Sequence, residues 1–407
     1  MMKEKIFTKD FTLIIFANFF IAAVMYGLST TIAEYAEGYG ATSLLAGIVT
    51  GIYTIGGLIT RLGSSGWMKK FGWKKLTRAC TAAHFIACLM YFGAENLPLL
   101  ILVRFLHGLT FGISASLMMT TGMSMVPKSR YGEGSGYLLM GPALAMAIGP
   151  YLSGHIIDNY GGKSGFVMAS VCAFLTASFM WLADYSKVDP GPCKETIIAG
   201  TADKSAAPKG LSALIELRVL PVSMCILLMV VGYSAIISFI RPYGTEVGLN
   251  ISTIFLIYAV ILLLIRPVAG RIQDRLGDNW VVYPGIIFQA AGLTLLAWKP
   301  CMLSIIAAAF GAAMGFGNMS ACIQAIAVRM TSEGRRPYAV NTFWICCDGG
   351  MGVGPMILGA VAGAGDYHLM YFAAGLISLA ALPVYIFSRC HEADSKSKDA
   401  QKKFRRQ

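Results

Sequence analysis

The sequence predicts an all-α integral membrane protein, with twelve transmembrane helices arranged as two pseudo-symmetric six-helix bundles. Three observations carry this reading. Of 407 residues, 56% are hydrophobic and 13% charged, whereas ordinary soluble domains are about 25% charged. Apolar runs of about 20 residues, the length that spans a bilayer, recur from end to end. A shift of 205 residues then lays the second half of the chain on the first.

Taken in order, helices are expected at 11–34, 43–66, 76–94, 98–119, 133–157 and 165–185, then at 220–240, 251–270, 281–298, 301–326, 337–362 and 368–388. The first run lacks a small-residue cleavage pattern and reads as a retained helix; it carries Asn18 and Tyr26, with Glu34 and Glu37 at its end. Helix 2 runs through Tyr53 to Arg61 and is followed by the basic stretch WMKKFGWKKL. Helix 3 includes His84, and helix 4 carries Arg104, His107, Gly108 and Gly112. Helix 5 holds the stretch GYLLMGPALAMAIGPYLSG, with Gly141, Ala145, Gly149 and Ser153 one helical turn apart. Each interior proline would cost a soluble helix about 3 kcal/mol. A bilayer tolerates such breaks, and the small residues allow close helix contact. Residues 186–218 are rich in Pro, Gly, Ser and Lys and read as a linker between halves 1–185 and 219–388, with a basic tail at 389–407.

The net charge of +12 has a topological distribution. Of 33 Lys and Arg residues, 27 fall in segments on one side, Lys163, Arg241 and Lys299 on the other, and Arg61, Arg104 and Arg266 inside helices. The positive-inside rule places both termini and the linker in the cytoplasm of a multi-pass cell (inner) membrane protein. Nucleic acid is therefore not the expected partner; membrane lipid is, with the tail available to acidic headgroups. The ten cysteines lie mostly in apolar runs and show no paired framework.

The constant offset aligns seven landmarks: Arg61 with Arg266, Gly72 with Gly277, Gly108 with Ala313, Gly112 with Gly317, Arg130 with Arg335, Gly149-Pro150 with Gly354-Pro355, and Gly154 with Gly359. A parallel internal repeat of membrane helices is the sequence sign of a two-bundle transporter. Two halves in one chain form a central path without a partner, so a working monomer is expected.

Several motifs resemble those of the major facilitator superfamily, over nearly the whole chain. Gly270-Arg-Ile-Gln-Asp274-Arg275-Leu-Gly277 is similar to the family's G-x-x-x-D-R-x-G turn; with Arg61 and Arg266 it is expected to form the cytoplasmic gate. The equivalent turn in the first half, Ser65-Gly-Trp-Met-Lys69-Lys70-Phe-Gly72, has Lys69 where the acid stands. Arg104-Phe-Leu-His107-Gly108 resembles the R-x-x-x-G signature of the drug–proton antiporter branch, which implies a part for Arg104 in proton coupling. Gly136, Ala145, Gly149-Pro150, Ser153 and Gly154 resemble the antiporter signature G-x8-G-x3-G-P-x2-G-G, with small substitutes at two glycines. The resemblance implies a hinge that lets helix 5 bend and slide against a partner from the other half. Its echo in helix 11 is Gly350, Gly354, Pro355 and Gly359.

Asp348 is the one carboxylate that the sequence places deep in a helix. A buried acid is protonated or paired, so it reads as a proton acceptor, as a counter-ion to Arg104 or substrate, or as a structural hydrogen-bond acceptor. His107 lies one turn from Arg104 and joins the coupling candidates. In the resembling fold, helices 1, 4, 7 and 10 line the cavity. The substrate candidates there are Asn18, Tyr26, Tyr233, Ser234, Asn318 and Gln324, beside Arg104 and His107.

Other chemistries find no footing. Gly162-Lys163-Ser164 matches the end of a phosphate loop, but Ile157 occupies its first glycine position. The run Gly350-Met-Gly352-Val-Gly354 sits in an apolar helix and not at a strand–helix turn. No metal-ligand spacing or nucleophile–base pair is apparent, so neither cofactor, metal nor enzymatic activity is expected. The sequence points to proton-coupled efflux of a small molecule by alternating access. It leaves open uptake of an organic acid or metabolite, and a non-transporting sensor or scaffold.

Overall fold

The computed structural model describes residues 7–71, 73–127, 131–184, 215–249, 253–331, 335–364 and 366–389. All twelve expected helices are present: α1 (Lys9–Glu37), α2 (Ser43–Phe71), α3 (Trp73–Leu89, prolonged by a 3-10 turn at Met90–Gly93), α4 (Leu97–Ser124), α5 (Tyr131–Tyr160) and α6 (Lys163–Leu182). The second half holds α7 (Leu220–Val247), α8 (Thr253–Leu276), α9 (Asn279–Trp298), α10 (Met302–Arg329), α11 (Arg336–Ala364) and α12 (Tyr367–Arg389). Among the described residues, ten stretches are long and apolar enough to cross a membrane. Most of the expected linker and all of the tail beyond residue 389 lie outside the described residues.

Most helices run longer than their apolar cores. The 29 residues of α2 measure about 43 Å at 1.5 Å per residue, against a hydrocarbon core of about 30 Å. The stretch that reads as a basic turn is thus helix as far as Phe71, and α3 begins at Trp73. Local chemistry sets several starts. The Thr8 hydroxyl accepts from the Phe11 N–H at 3.2 Å, and Asn96 Oδ1 accepts from the Leu99 N–H at 3.0 Å. Asp366 Oδ1 accepts from the Leu369 N–H at 2.7 Å.

At several interfaces glycines bring helix backbones into direct contact. A Cβ on Gly108 would fall 2.0 Å from the Tyr53 carbonyl oxygen, and one on Gly112 2.0 Å from that of Gly57, so α2 and α4 touch backbone to backbone. The opposite face of α2 does the same to α11. There a Cβ on Gly47 would fall 2.1 Å from the Pro355 oxygen, and one on Gly51 2.0 Å from that of Gly352. Without a hydrophobic force between helices in lipid, close van der Waals contact of this kind is what holds them.

The small face of α5 finds its main partner in its own half, and α5 also meets α8 of the other half, where the Tyr258 hydroxyl lies 3.5 Å from Met146 Sδ. The small face lies on α1: a Cβ on Gly141 would come 3.1 Å from the Ile15 oxygen, and one on Gly149 3.1 Å from the Ala23 oxygen. Ala145 packs with Ala22 and Ala23, Pro150 and Gly154 are buried, and exposed Gly136 has open space around it. The glycine contact across the halves belongs to α11. Gly350 and Gly354 pack on α7 in its own half, while Gly352, Pro355 and Gly359 pack on α2 of the other.

The repeat is visible in the packing, with one local difference. Tyr53 and Gly57 of α2 correspond to Tyr258 and Leu262 of α8. Gly317 of α10 lies against Tyr258 and Leu262, as Gly108 and Gly112 lie against Tyr53 and Gly57. Where the larger Leu262 stands, α10 winds into a π-helical turn at Ala313–Gly317, with Gly315 at ψ −111°. Gln289 of α9 satisfies the opened backbone: its Oε1 accepts from the Phe316 N–H at 2.8 Å. Its amide nitrogen donates to the Met229 carbonyl at 2.7 Å and to the Ser378 hydroxyl at 3.1 Å. Gln289→Leu is therefore expected to destabilise the fold by about 1–3 kcal/mol per orphaned buried group. A lower unfolding temperature in detergent checks this; an unchanged one would show that the π turn does not depend on Gln289.

Candidate functional site

The chemistry concentrates where the two halves meet. Arg61 of α2 reaches Asp348 of α11, Nε to Oδ2 at 3.1 Å, with its guanidinium 6.0 Å from the centre of the Trp344 ring. The acid and the arginine come from different halves, so the pair joins the two bundles within their apolar depth. Tyr26 of α1 is half-buried and within Coulombic reach of both Asp348 and Arg61. Beyond it, the Tyr233 ring of α7 stands 4.8 Å from Phe316 and 5.9 Å from Tyr258.

Buried polar atoms without partners accompany these rings: the Asn18 amide nitrogen, the Tyr233 hydroxyl, and both side-chain polar atoms of Asn318. Such groups cost free energy unless something hydrogen-bonds to them, and they lie on α1, α7 and α10, three of the helices expected to line a cavity. Ser234 is engaged elsewhere. Its hydroxyl donates to the Val231 carbonyl at 2.7 Å, and the side chain packs against Gly354. Gln324 is half-buried on the last turns of α10.

Arg104 is not the partner of Asp348. Fully buried, it donates from Nε to the Val49 carbonyl at 3.1 Å and from Nη2 to the Thr50 carbonyl at 3.2 Å. It also reaches the Tyr91 hydroxyl at 3.4 Å and lies 4.5 Å over the Tyr53 ring. Carbonyl oxygens and a ring face replace the carboxylate that the sequence suggests, and they tie α4 to α2. His107 is likewise enclosed in its own half, against Tyr91 and Cys88. A third arginine, Arg266, is half-buried near Tyr258. The repeat sends Asp348 to Ala143, so the counterpart interface has the arginine without the acid.

The two ends of the bundle are held differently. At the end away from the termini, Arg241 of α7 pairs with Glu34 of α1 and Asp158 of α5, each at 2.6 Å. The Tyr367 hydroxyl donates to Glu37 there, also at 2.6 Å. These contacts join the halves. At the termini end, ionic groups pair within a half: Lys74 with Asp184, Arg335 with Glu216, and Asp278 with Arg329 and Arg389.

In the turn after α8, Gly277 adopts φ +97° and open space surrounds Gly270. Arg275 is exposed, and the side chain of Asp274 lies outside the described residues. The carboxylate that gathers partners is Asp278, which the sequence reading passed over; it accepts from Gln273 at 2.9 Å and from Arg329. Also missed was a buried group assembled from two helices, His84 and Cys88 of α3 with His107 of α4.

A family model described as Major Facilitator Superfamily matches residues 14–278 and 222–407. The chain belongs to this superfamily. It is thus a membrane transporter, and its similarity extends to an uncharacterized MFS-type transporter of Methanocaldococcus jannaschii, MJ1560, at 23% identity over 88% of this chain and 91% of that protein. The multi-drug resistance efflux pump PmrA of Streptococcus pneumoniae is 25% identical over 69% of this chain and 70% of the pump. Among solved structures, a variant of the nucleoside transporter NupG superposes with a TM-score of 0.74 at 12% identity, covering 93% of this chain and 99% of that one, which establishes a shared fold.

Two outcomes are expected from this geometry. Arg104→Lys keeps the charge but cannot reach two carbonyls with a planar fork. It should lower thermal stability by about 1–3 kcal/mol while leaving the ratio of flux with and without a pH gradient unchanged; a changed ratio would restore Arg104 to coupling. Arg241→Ala should loosen the end away from the termini. A cysteine placed at Thr31 should then react faster with a membrane-impermeant maleimide, and an unaltered rate would show that Arg241 does not hold that end closed.

Proposed function

We propose that this chain is a proton-driven exporter of small, flat, amphipathic organic compounds, and that Asp348 is the group that takes the proton. The Arg61–Asp348 pair carries the reading. Ionised, the carboxylate attracts α2 to α11 across the halves in a medium of low dielectric, where Coulomb forces act strongly. A proton on Asp348 removes that attraction and lowers the cost of parting the halves. Because a ligand shifts a two-state equilibrium only by its different affinity for the two states, the coupling lies in a carboxylate that is paired in one state and free of Arg61 in the other.

The substrate class follows from the rings of Tyr26, Tyr233, Tyr258 and Phe316 and the unpartnered amides of Asn18 and Asn318. They suit an apolar, planar body with a few hydrogen-bonding groups. Export is supported by the antiporter-like pattern of α5 and by the likeness to PmrA. The distribution of Lys and Arg supports a cytoplasmic termini end. With the halves joined at the other end, the conformation described is then the inward-facing one, ready to load from the cytoplasm.

The test is flux in vesicles holding purified protein under an imposed pH gradient. Proton entry should drive aromatic test compounds the opposite way. Asp348→Asn should cut gradient-driven flux by about fivefold or more, the rate equivalent of an ion pair of about 1 kcal/mol, while leaving gradient-free exchange. Flux in the same direction as protons, or full coupling in Asp348→Asn, would overturn the proposal.

A further inference from the structure

His84, Cys88 and His107 stand apart from the Arg61–Asp348 pair and form a concentrated donor set. His84 and Cys88 lie one turn apart on the same face of α3, and His107 faces them from α4. One ring nitrogen of each histidine and the Cys88 Sγ all lie within 4.8 Å of one another, and all three residues are fully buried. Cys88 Sγ and His107 Nε2 stand 3.3 Å apart. That is already near the spacing of two ligands on one ion, given metal–sulfur and metal–nitrogen bonds of about 2.3 and 2.0 Å.

The surroundings orient the rings as ligands. The Thr110 hydroxyl donates its proton to the His107 carbonyl at 2.8 Å, so toward His84 Nδ1, at 3.4 Å, its oxygen can only accept. His84 Nδ1 therefore carries the hydrogen, and Nε2, buried and without a partner, presents a bare lone pair. His107 Nδ1 can donate to the Tyr91 oxygen at 2.9 Å, the tautomer in which Nε2, on the cysteine side, has its lone pair free. Partners that fix the far nitrogen of each ring are the usual outer shell of a metal-binding histidine.

We propose that these three residues bind one monovalent soft cation, Cu(I), as a resident ion that staples α3 to α4. The donor set suits it, since thiolate and imidazole are copper(I) ligands. Charge selects it over zinc. Binding displaces the Cys88 proton, so Cu(I) with one thiolate and two neutral imidazoles adds no net charge, whereas Zn(II) would add one positive charge. Arg104 stands one tyrosine away, hydrogen-bonded to the same Tyr91 that holds His107. A second buried cation beside it would be costly. The cluster lies within one half and off the α2–α11 seam, so the ion is a fixture and not cargo.

The test titrates the full-length protein in detergent with Cu(I), under anaerobic reducing conditions and against a bicinchoninate competitor. One tightly held ion per chain is expected, with X-ray absorption showing one sulfur and two nitrogen neighbours and with a raised unfolding temperature. Cys88→Ser and His84→Leu should each weaken binding by about a hundredfold and abolish the thermal shift, and Thr110→Val should weaken it by about tenfold. His84 gives up a single long hydrogen bond, so His84→Leu should elute as folded protein. Cys322→Ser, on α10, should bind as the parent does. An all-sulfur absorption signature, undiminished binding by His84→Leu, or preference for Zn(II) over Cu(I) would overturn the proposal.

Discussion

Glycines bring one helix into backbone contact with two neighbours, and the rest of the structure depends on that. α2 lies backbone to backbone with α4 through Gly108 and Gly112, and with α11 through Gly47 and Gly51. Lipid tails are as apolar as leucine, so the bilayer does not press helices together as water would. Contact has to come from close approach, and glycine permits the closest. The α2–α11 seam is also one of the places where the halves join, which makes α2 both a structural element of its own bundle and a contact surface for the other. Arg61, toward the end of that helix, is consequently positioned to reach an acid on α11.

That setting explains how a single carboxylate acquires leverage. Asp348 occupies one of two interfaces related by the repeat, and its counterpart position holds Ala143. The halves are alike in packing and unlike in charge. At the end away from the termini, Arg241 holds two acids of the other half. At the termini end, ionic groups such as Arg335–Glu216 and Asp278–Arg329 turn inward to their own bundle. Ion pairs thus cross between the halves at one end and stay within a half at the other.

Much of the fold was legible because bilayer thickness and backbone hydrogen bonding leave few choices. The limits were physical too. Helix ends came out short because the polar turns beyond the apolar core still wind. Arg104 was matched to Asp348 because one chain gives depth but not direction, and neither residue's helix face can be read without its neighbours. The partner of Asp348 was in the sequence as Arg61, assigned to a gate. Asp278 was passed over because the motif ends at Gly277, although an acid following a left-handed glycine stands at the first turn of the next helix. The His84, Cys88 and His107 group could not be seen at all, since its third member comes from another helix.

The π turn of α10 gives the second half a mechanical freedom that the first lacks. One residue more than an α-helix would hold is wound into Ala313–Gly317, opposite the bulk of Leu262. Each residue of an α-helix turns the chain by about 100°. Were that surplus residue to slide along the helix, Asn318 would rotate about the axis by roughly that angle with little translation. The face that Asn318 presents is thus set by where in α10 the extra residue is wound.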